Sequence, residues 1–83
     1  MKKLELYYFD ECPYCQLVLT SLAELGLKSQ VVLKNTRREP SNREKLMQDT
    51  GRSTVPCLYI DGLPMFESRD IVRWLSEYAK NLG

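Results

Sequence analysis

The sequence has no histidine, and only three cysteines, four glycines and four prolines stand among its 83 residues. A closed structural zinc site needs four cysteine or histidine ligands, so the cysteines would have to recruit a carboxylate to complete one. No metal is expected on that count. An iron–sulfur cluster shared between two chains, with a small thiol completing the ligands, is a separate alternative that the stiffness of Pro13 disfavours. An excess of one charge is missing too: 12 Lys and Arg against 11 Asp and Glu leave a net charge of +1. That balance supplies no electrostatic reason for a nucleic-acid or anionic-membrane partner. No apolar run approaches the roughly 18 residues of a membrane span, and the amino terminus lacks the regions of a signal peptide. A cytoplasmic protein is therefore expected. In that compartment thiols are kept reduced, so an odd number of cysteines speaks against a structural disulfide framework. Repeats, linkers and low-complexity tracts are absent as well, which leaves one domain over residues 1–83.

What is present begins with an apolar, aromatic run from Leu4 to Phe9, read as a buried strand. Cys12-Pro13-Tyr14-Cys15 follows at once. Pro13 suits the first position of a helix, and Val18, Leu22 and Leu25 recur at helical spacing until Gly26. Gln30 to Leu33 reads as a second strand, and Lys34 to Pro40 as a polar, basic connection. Ser41 and Glu44 have the spacing of a capping box for a short helix that carries Leu46 and Met47 and stops at Gly51. Cys57 to Ile60 and Leu63 to Phe66 read as a hairpin around Asp61-Gly62, with Pro64 arguing for an edge strand. Ser68 can cap a last helix with Ile71, Leu75, Tyr78, Ala79 and Leu82 on its inner face. The order β-α-β-α-β-β-α predicts an α/β fold with a four-stranded mixed sheet and helices on both faces. The two cysteines then open the first helix at the carboxyl end of the first strand, where ligands gather in open α/β sheets.

At a helix start, unpaired N–H groups and the helix dipole stabilise an anion. Cys12 is thus expected to be the attacking thiol. Cys15, inside the first turn, is placed to resolve a mixed disulfide formed on Cys12. A pair that merely packs on a helix is the alternative.

The CPYC tetrapeptide, the Gly51-Arg52-Ser53-Thr54-Val55-Pro56 segment and the Glu67-Ser68-Arg69-Asp70 start of the last helix resemble the glutaredoxins, within the thioredoxin-like fold. The match covers essentially the whole chain. Glu67-Ser68 and the following residues also resemble the glutathione S-transferase N-terminal domain, where a Glu-Ser pair grips the γ-glutamyl end of glutathione. Because the chain stops at Gly83 without the transferases' helical second domain, a stand-alone, monomeric glutaredoxin is expected. The resemblance implies Cys12 as nucleophile, Cys15 as resolving thiol, a cis peptide at Pro56, and a Val55 backbone that pairs with the cysteinyl part of glutathione, with Thr54 beside it. It implies that the Ser68 N–H holds the γ-glutamyl carboxylate and Asp70 the ammonium group. Tyr14 walls the groove or is a half-exposed turn aromatic.

Phe9 stands where glutaredoxins usually carry a lysine, and Asp10 and Glu11 adjoin Cys12. Arg37 and Arg38 are the candidates for the glycyl carboxylate, with ordinary solvated charges as the alternative. Cys57 reads as a small apolar core residue, and Met65 and Trp74 as packing. The expected function is a glutathione-dependent thiol–disulfide oxidoreductase acting on protein disulfides and protein–glutathione mixed disulfides, with glutathione as reducing cosubstrate. The alternatives are a non-catalytic glutathione or iron–sulfur binding module and a single-domain relative of the glutathione S-transferases.

Overall fold

The computed structural model describes residues 2–82. Its elements are β1 (Leu4–Tyr8), α1 (Pro13–Glu24), β2 (Val31–Asn35), α2 (Pro40–Thr50), β3 (Cys57–Ile60), β4 (Leu63–Phe66) and α3 (Ser68–Leu82), with a 3₁₀ turn at Lys28–Gln30 before β2. The sheet order is β2-β1-β3-β4. β1 and β2 run parallel, whereas β3 is antiparallel to both β1 and β4. This is the four-stranded mixed sheet of a thioredoxin-like fold.

Strand alternation divides the core in two. Leu4, Leu6 and Leu58 point to one face and pack with Val18 and Leu22 of α1 and Ile71 and Leu75 of α3. Tyr7, Cys57 and Tyr59 point to the other and pack with Leu46 of α2. The Tyr59 hydroxyl donates to Asp49 Oδ2 at 2.8 Å and so fastens α2 to β3, while Lys45, one turn earlier on α2, donates to the same oxygen at 2.7 Å. Helices therefore cover both faces, but α2 contributes one fully buried side chain against the several of α1 and α3.

Local chemistry fixes the element ends. α1 closes in a Schellman arrangement: Leu27 N–H donates to Leu22 O at 2.9 Å and Gly26 N–H to Ala23 O at 3.2 Å, with Gly26 at φ +70°. The Asp61-Gly62 loop has φ +50° and +87°, the twist that suits a two-residue hairpin. β4 is an edge strand, as Pro64 requires.

Four sequence expectations shift. Phe9 lies beyond β1, and β2 occupies Val31–Asn35 because its parallel register with β1 continues through Tyr8↔Asn35, while Gln30 belongs to the 3₁₀ turn. As an edge strand β2 buries Val31 and leaves Val32 51 % exposed. The Ser41–Glu44 capping box does not form. Pro40 takes the first helical position of α2 and Glu39 the cap, with no side-chain cap hydrogen bond. Ser68 is likewise inside α3 rather than at its cap, because Ile71 N–H donates to the carbonyl of Glu67 at 3.0 Å.

Candidate active site

Cys12 is the N-cap of α1, with extended backbone (φ −85°, ψ 116°), and its Sγ accepts the N–H of Cys15 at 3.3 Å. The sulfur thus occupies the place that a serine or aspartate oxygen takes at many helix starts, where one orphan donor of the first turn finds a partner. Pro13 follows as the first helical residue, where it has no N–H to leave unpaired. Cys12 keeps 7 % of its surface exposed and Cys15 none. Burial, with the hydrogen bond to Cys12, pushes the Cys15 thiol up to about 12, although a backbone hydrogen bond with Phe9 works in the opposite direction. Neither thiol is bonded to another cysteine.

Beside this helix start lies a groove of ≈ 360 Å³ lined by Tyr14, Thr54, Val55, Pro56, Phe66, Glu67 and Ser68. Three chain segments build it. Tyr14 projects from the first turn of α1 with 63 % of its surface exposed. The Val55–Pro56 peptide is cis and leads into β3, whose ladder begins only at Cys57, so the backbone of Val55 stays outside the sheet's own hydrogen bonding. The third segment is the β4–α3 junction. Glu67 there has φ +78°, a left-handed backbone that costs a non-glycine residue on the order of 1 kcal/mol. The first intrahelical bond of α3 reaches Ile71, so the N–H groups of Ser68, Arg69 and Asp70 have no acceptor within the helix. Such donors, with the helix dipole behind them, suit a carboxylate.

Six of the residues singled out from sequence, Tyr14, Thr54, Val55, Pro56, Glu67 and Ser68, thus meet on one groove. Asp70 lines an adjoining hollow with Glu67, Ser68 and Arg69. Arg37 and Arg38 are absent from the lining. They lie on the β2–α2 turn, where Arg37 Nη1 is 3.2 Å from Glu11 Oε1 and Arg38 Nη2 is 3.4 Å from Asp10 Oδ2. Cys57 is fully buried in the smaller core, on the sheet face away from α1, and burial pushes its thiol up to about 11. Phe66 is the groove residue that sequence reasoning missed, and the guanidinium of Arg52 lies 3.8 Å from its ring centroid. The signal was its register opposite Cys57 at the end of β4, directly before Glu67. Among the described residues, no three of Cys, Asp and Glu stand together as a metal-binding group.

Residues 6–81 match the family described as glutathione S-transferase, N-terminal domain. Glutaredoxin 3 of Escherichia coli (strain K12) is 31 % identical over 61 residues, which cover 74 % of this chain and 71 % of that protein. A glutathione transferase homologue from Drosophila mojavensis, solved with bound glutathione, superimposes with a TM-score of 0.79 at 28 % identity over 96 % of this chain and 37 % of its own. An epsilon-class glutathione S-transferase from the housefly, Musca domestica, gives 0.76 at 30 % identity over 94 % and 36 %. The chain therefore spans little more than a third of these transferases' length. Oxidised glutaredoxin 2 from Chlamydomonas reinhardtii, at 22 % identity and a TM-score of 0.67, shares the fold over 94 % of this chain and 75 % of its own. With residues 6–81 matched and this groove beside a helix-capping cysteine, the chain belongs to the family of glutathione S-transferase N-terminal domains, on a thioredoxin-like fold and homologous to glutaredoxin 3.

Proposed function

We propose that this protein is a glutathione-dependent thiol–disulfide oxidoreductase that reduces protein disulfides and protein–glutathione mixed disulfides, acting as a monomer in the cytoplasm. One observation carries the reading: two cysteines share the first turn of α1, Cys12 with 7 % of its surface exposed and Cys15 with none, and the outer sulfur receives the N–H of the inner residue. A relative solved with bound glutathione and the homology to glutaredoxin 3 support glutathione as the partner.

In the reaction the Cys12 thiolate attacks the glutathione sulfur of a mixed disulfide. A Cys12–glutathione disulfide forms and the protein thiol leaves, taking a proton. A second glutathione thiolate then attacks the glutathione sulfur of that disulfide, which gives oxidised glutathione and returns Cys12 as thiolate. With a protein disulfide, Cys12 instead forms a mixed disulfide to the substrate. Cys15 gives up its proton and displaces the substrate's sulfur, leaving a Cys12–Cys15 disulfide that two glutathiones reduce. The raised proton affinity of Cys15 suits a thiol that stays silent until a disulfide forms beside it. The groove of Tyr14, Thr54 to Pro56 and Phe66 to Ser68 would hold the tripeptide, its cysteinyl part along the Val55 backbone and its γ-glutamyl carboxylate at the α3 start, near Asp70.

The test is glutathione-coupled reduction of a small glutathione mixed disulfide. Cys12→Ser should abolish turnover, and Cys15→Ser should retain it because free glutathione replaces the inner thiol. Equal loss in both variants would overturn the role assignment. Glutathione binding without turnover in the unaltered protein would instead mark a binding module.

A further inference from the structure

Phe9, Asp10 and Glu11 lead directly into Cys12, and a single turn on a different element grips all three. The Arg37 guanidinium lies 3.8 Å from the Phe9 ring centroid and 3.2 Å from Glu11 Oε1. Arg38 reaches Asp10 Oδ2 at 3.4 Å, and Asn35 Nδ2 donates to the same oxygen at 3.4 Å. Asn35 also shapes the turn that presents the arginines, since its Oδ1 accepts the backbone N–H of Arg37 and of Arg38, both at 2.9 Å. Its own backbone carbonyl accepts from Asn42 Nδ2 at 3.0 Å. On the other side of the loop, Gln16 of α1 donates to Asp10 O at 2.8 Å and Cys12 N–H donates to Phe9 O at 3.3 Å.

We propose that Asn35, Arg37 and Arg38 form a clasp that positions the Phe9–Glu11 loop and offsets its two carboxylates, so that the arginines act on the reactivity of Cys12 and not on a bound substrate's carboxylate. Unpaired, Asp10 and Glu11 would place two negative charges on the residues just before Cys12, whose sulfur must become negative to react, and like charges disfavour the ionised form. The guanidinium groups set positive charge against both carboxylates, and the Phe9 ring gives Arg37 a face to lie on. Each pair is exposed and weak singly, so the device works as a group and is sensitive to salt.

The inference takes Cys12 as the attacking thiol proposed above, and alkylation of that thiol tests it without any turnover. In a Cys15→Ser background, the rate of Cys12 alkylation by neutral iodoacetamide at pH 7 and low ionic strength should fall about two- to fivefold in Arg37→Gln/Arg38→Gln. Adding Asp10→Asn/Glu11→Gln to that variant should restore the rate, because it removes the charges the arginines were offsetting. In 1 M salt, where the screening length is about 3 Å, the difference should largely vanish. All four residues are exposed, so folding is not at stake. An unchanged rate in the arginine variant, or no recovery on removing the carboxylates, overturns the proposal. So does a raised KM for a glutathione mixed disulfide that persists after the carboxylates are removed, since the arginines would then hold the substrate. A protein with no turnover but a clasp-sensitive thiol would refute the proposed activity and leave the clasp standing.

Discussion

Cys12 and Cys15 lie one helical turn apart in different surroundings: the outer sulfur caps the helix, two residues before the groove-lining Tyr14, and the inner residue has no exposed surface. With its proton affinity raised to about 12, Cys15 should resist alkylation at pH 8. Brief treatment of the reduced protein with iodoacetamide should therefore give a singly labelled species, and peptide mapping should find the label on Cys12. Cys57, buried in the smaller core, should stay unlabelled as well. Asp70 belongs to the same scale. If it pairs with the ammonium group of glutathione, Asp70→Asn removes a charge-assisted contact worth about 1.5 to 3 kcal/mol. Use of glutathionylated substrates should then fall about tenfold or more, while attack on a small neutral disulfide is nearly unchanged. The placement of the cysteine pair at the start of α1 and of Asp70 in the first turn of α3 was legible in the sequence because short motifs carry it. Arg37 and Arg38 were legible only as cations near the site, since their pairing with Asp10 and Glu11 spans 26 and 28 positions of chain.

Elements were readable where local chemistry decides them and misread where neighbours do. The hairpin at Asp61-Gly62 follows from a dipeptide that tolerates two positive φ values, and α1 follows from Pro13, periodic apolar residues and Gly26. Gly26→Ala checks the last point. Nothing lies within 4 Å of an added Cβ, so the cost is that of the left-handed backbone alone, about 1 kcal/mol. A lowered urea midpoint with an unchanged slope is the expected result. The bounds of β2 shifted because the partner strand sets them: pairing with β1 carries the polar Lys34 and Asn35 into the ladder, which the apolar triplet alone does not signal. The start of α2 escaped by two residues, since Ser41–Glu44 and Pro40 both signal a helix start and the preset φ of proline prevailed. Phe66 could be assigned to a strand but not to the groove, because the wall it forms is completed by residues from three separate segments.

Across the molecule, buried acids set the response to alkali. Cys15 and Cys57 have proton affinities raised by burial to about 12 and about 11, and burial raises those of Tyr7 and Tyr59 as well. Above about pH 9 the unfolded chain loses thiol protons that the folded chain keeps, so folding binds more protons and stability falls as pH rises. The contribution is complete below pH 9 and disappears between there and about pH 12. Urea midpoints measured in reductant should decline over that window, and Cys57→Ala, though less stable overall, should decline less steeply between pH 9 and 11. The unequal covering of the sheet has a further consequence. With Leu46 as its one fully buried anchor and the Asp49 hydrogen bonds near its end, α2 can lift away while β1, β3, α1 and α3 remain packed. Its amide hydrogens should exchange with deuterated solvent well before those of the other two helices, which would give the protein an order of opening: the side away from Cys12 and Cys15 breathes first, and the Arg37–Arg38 turn lies at the hinge.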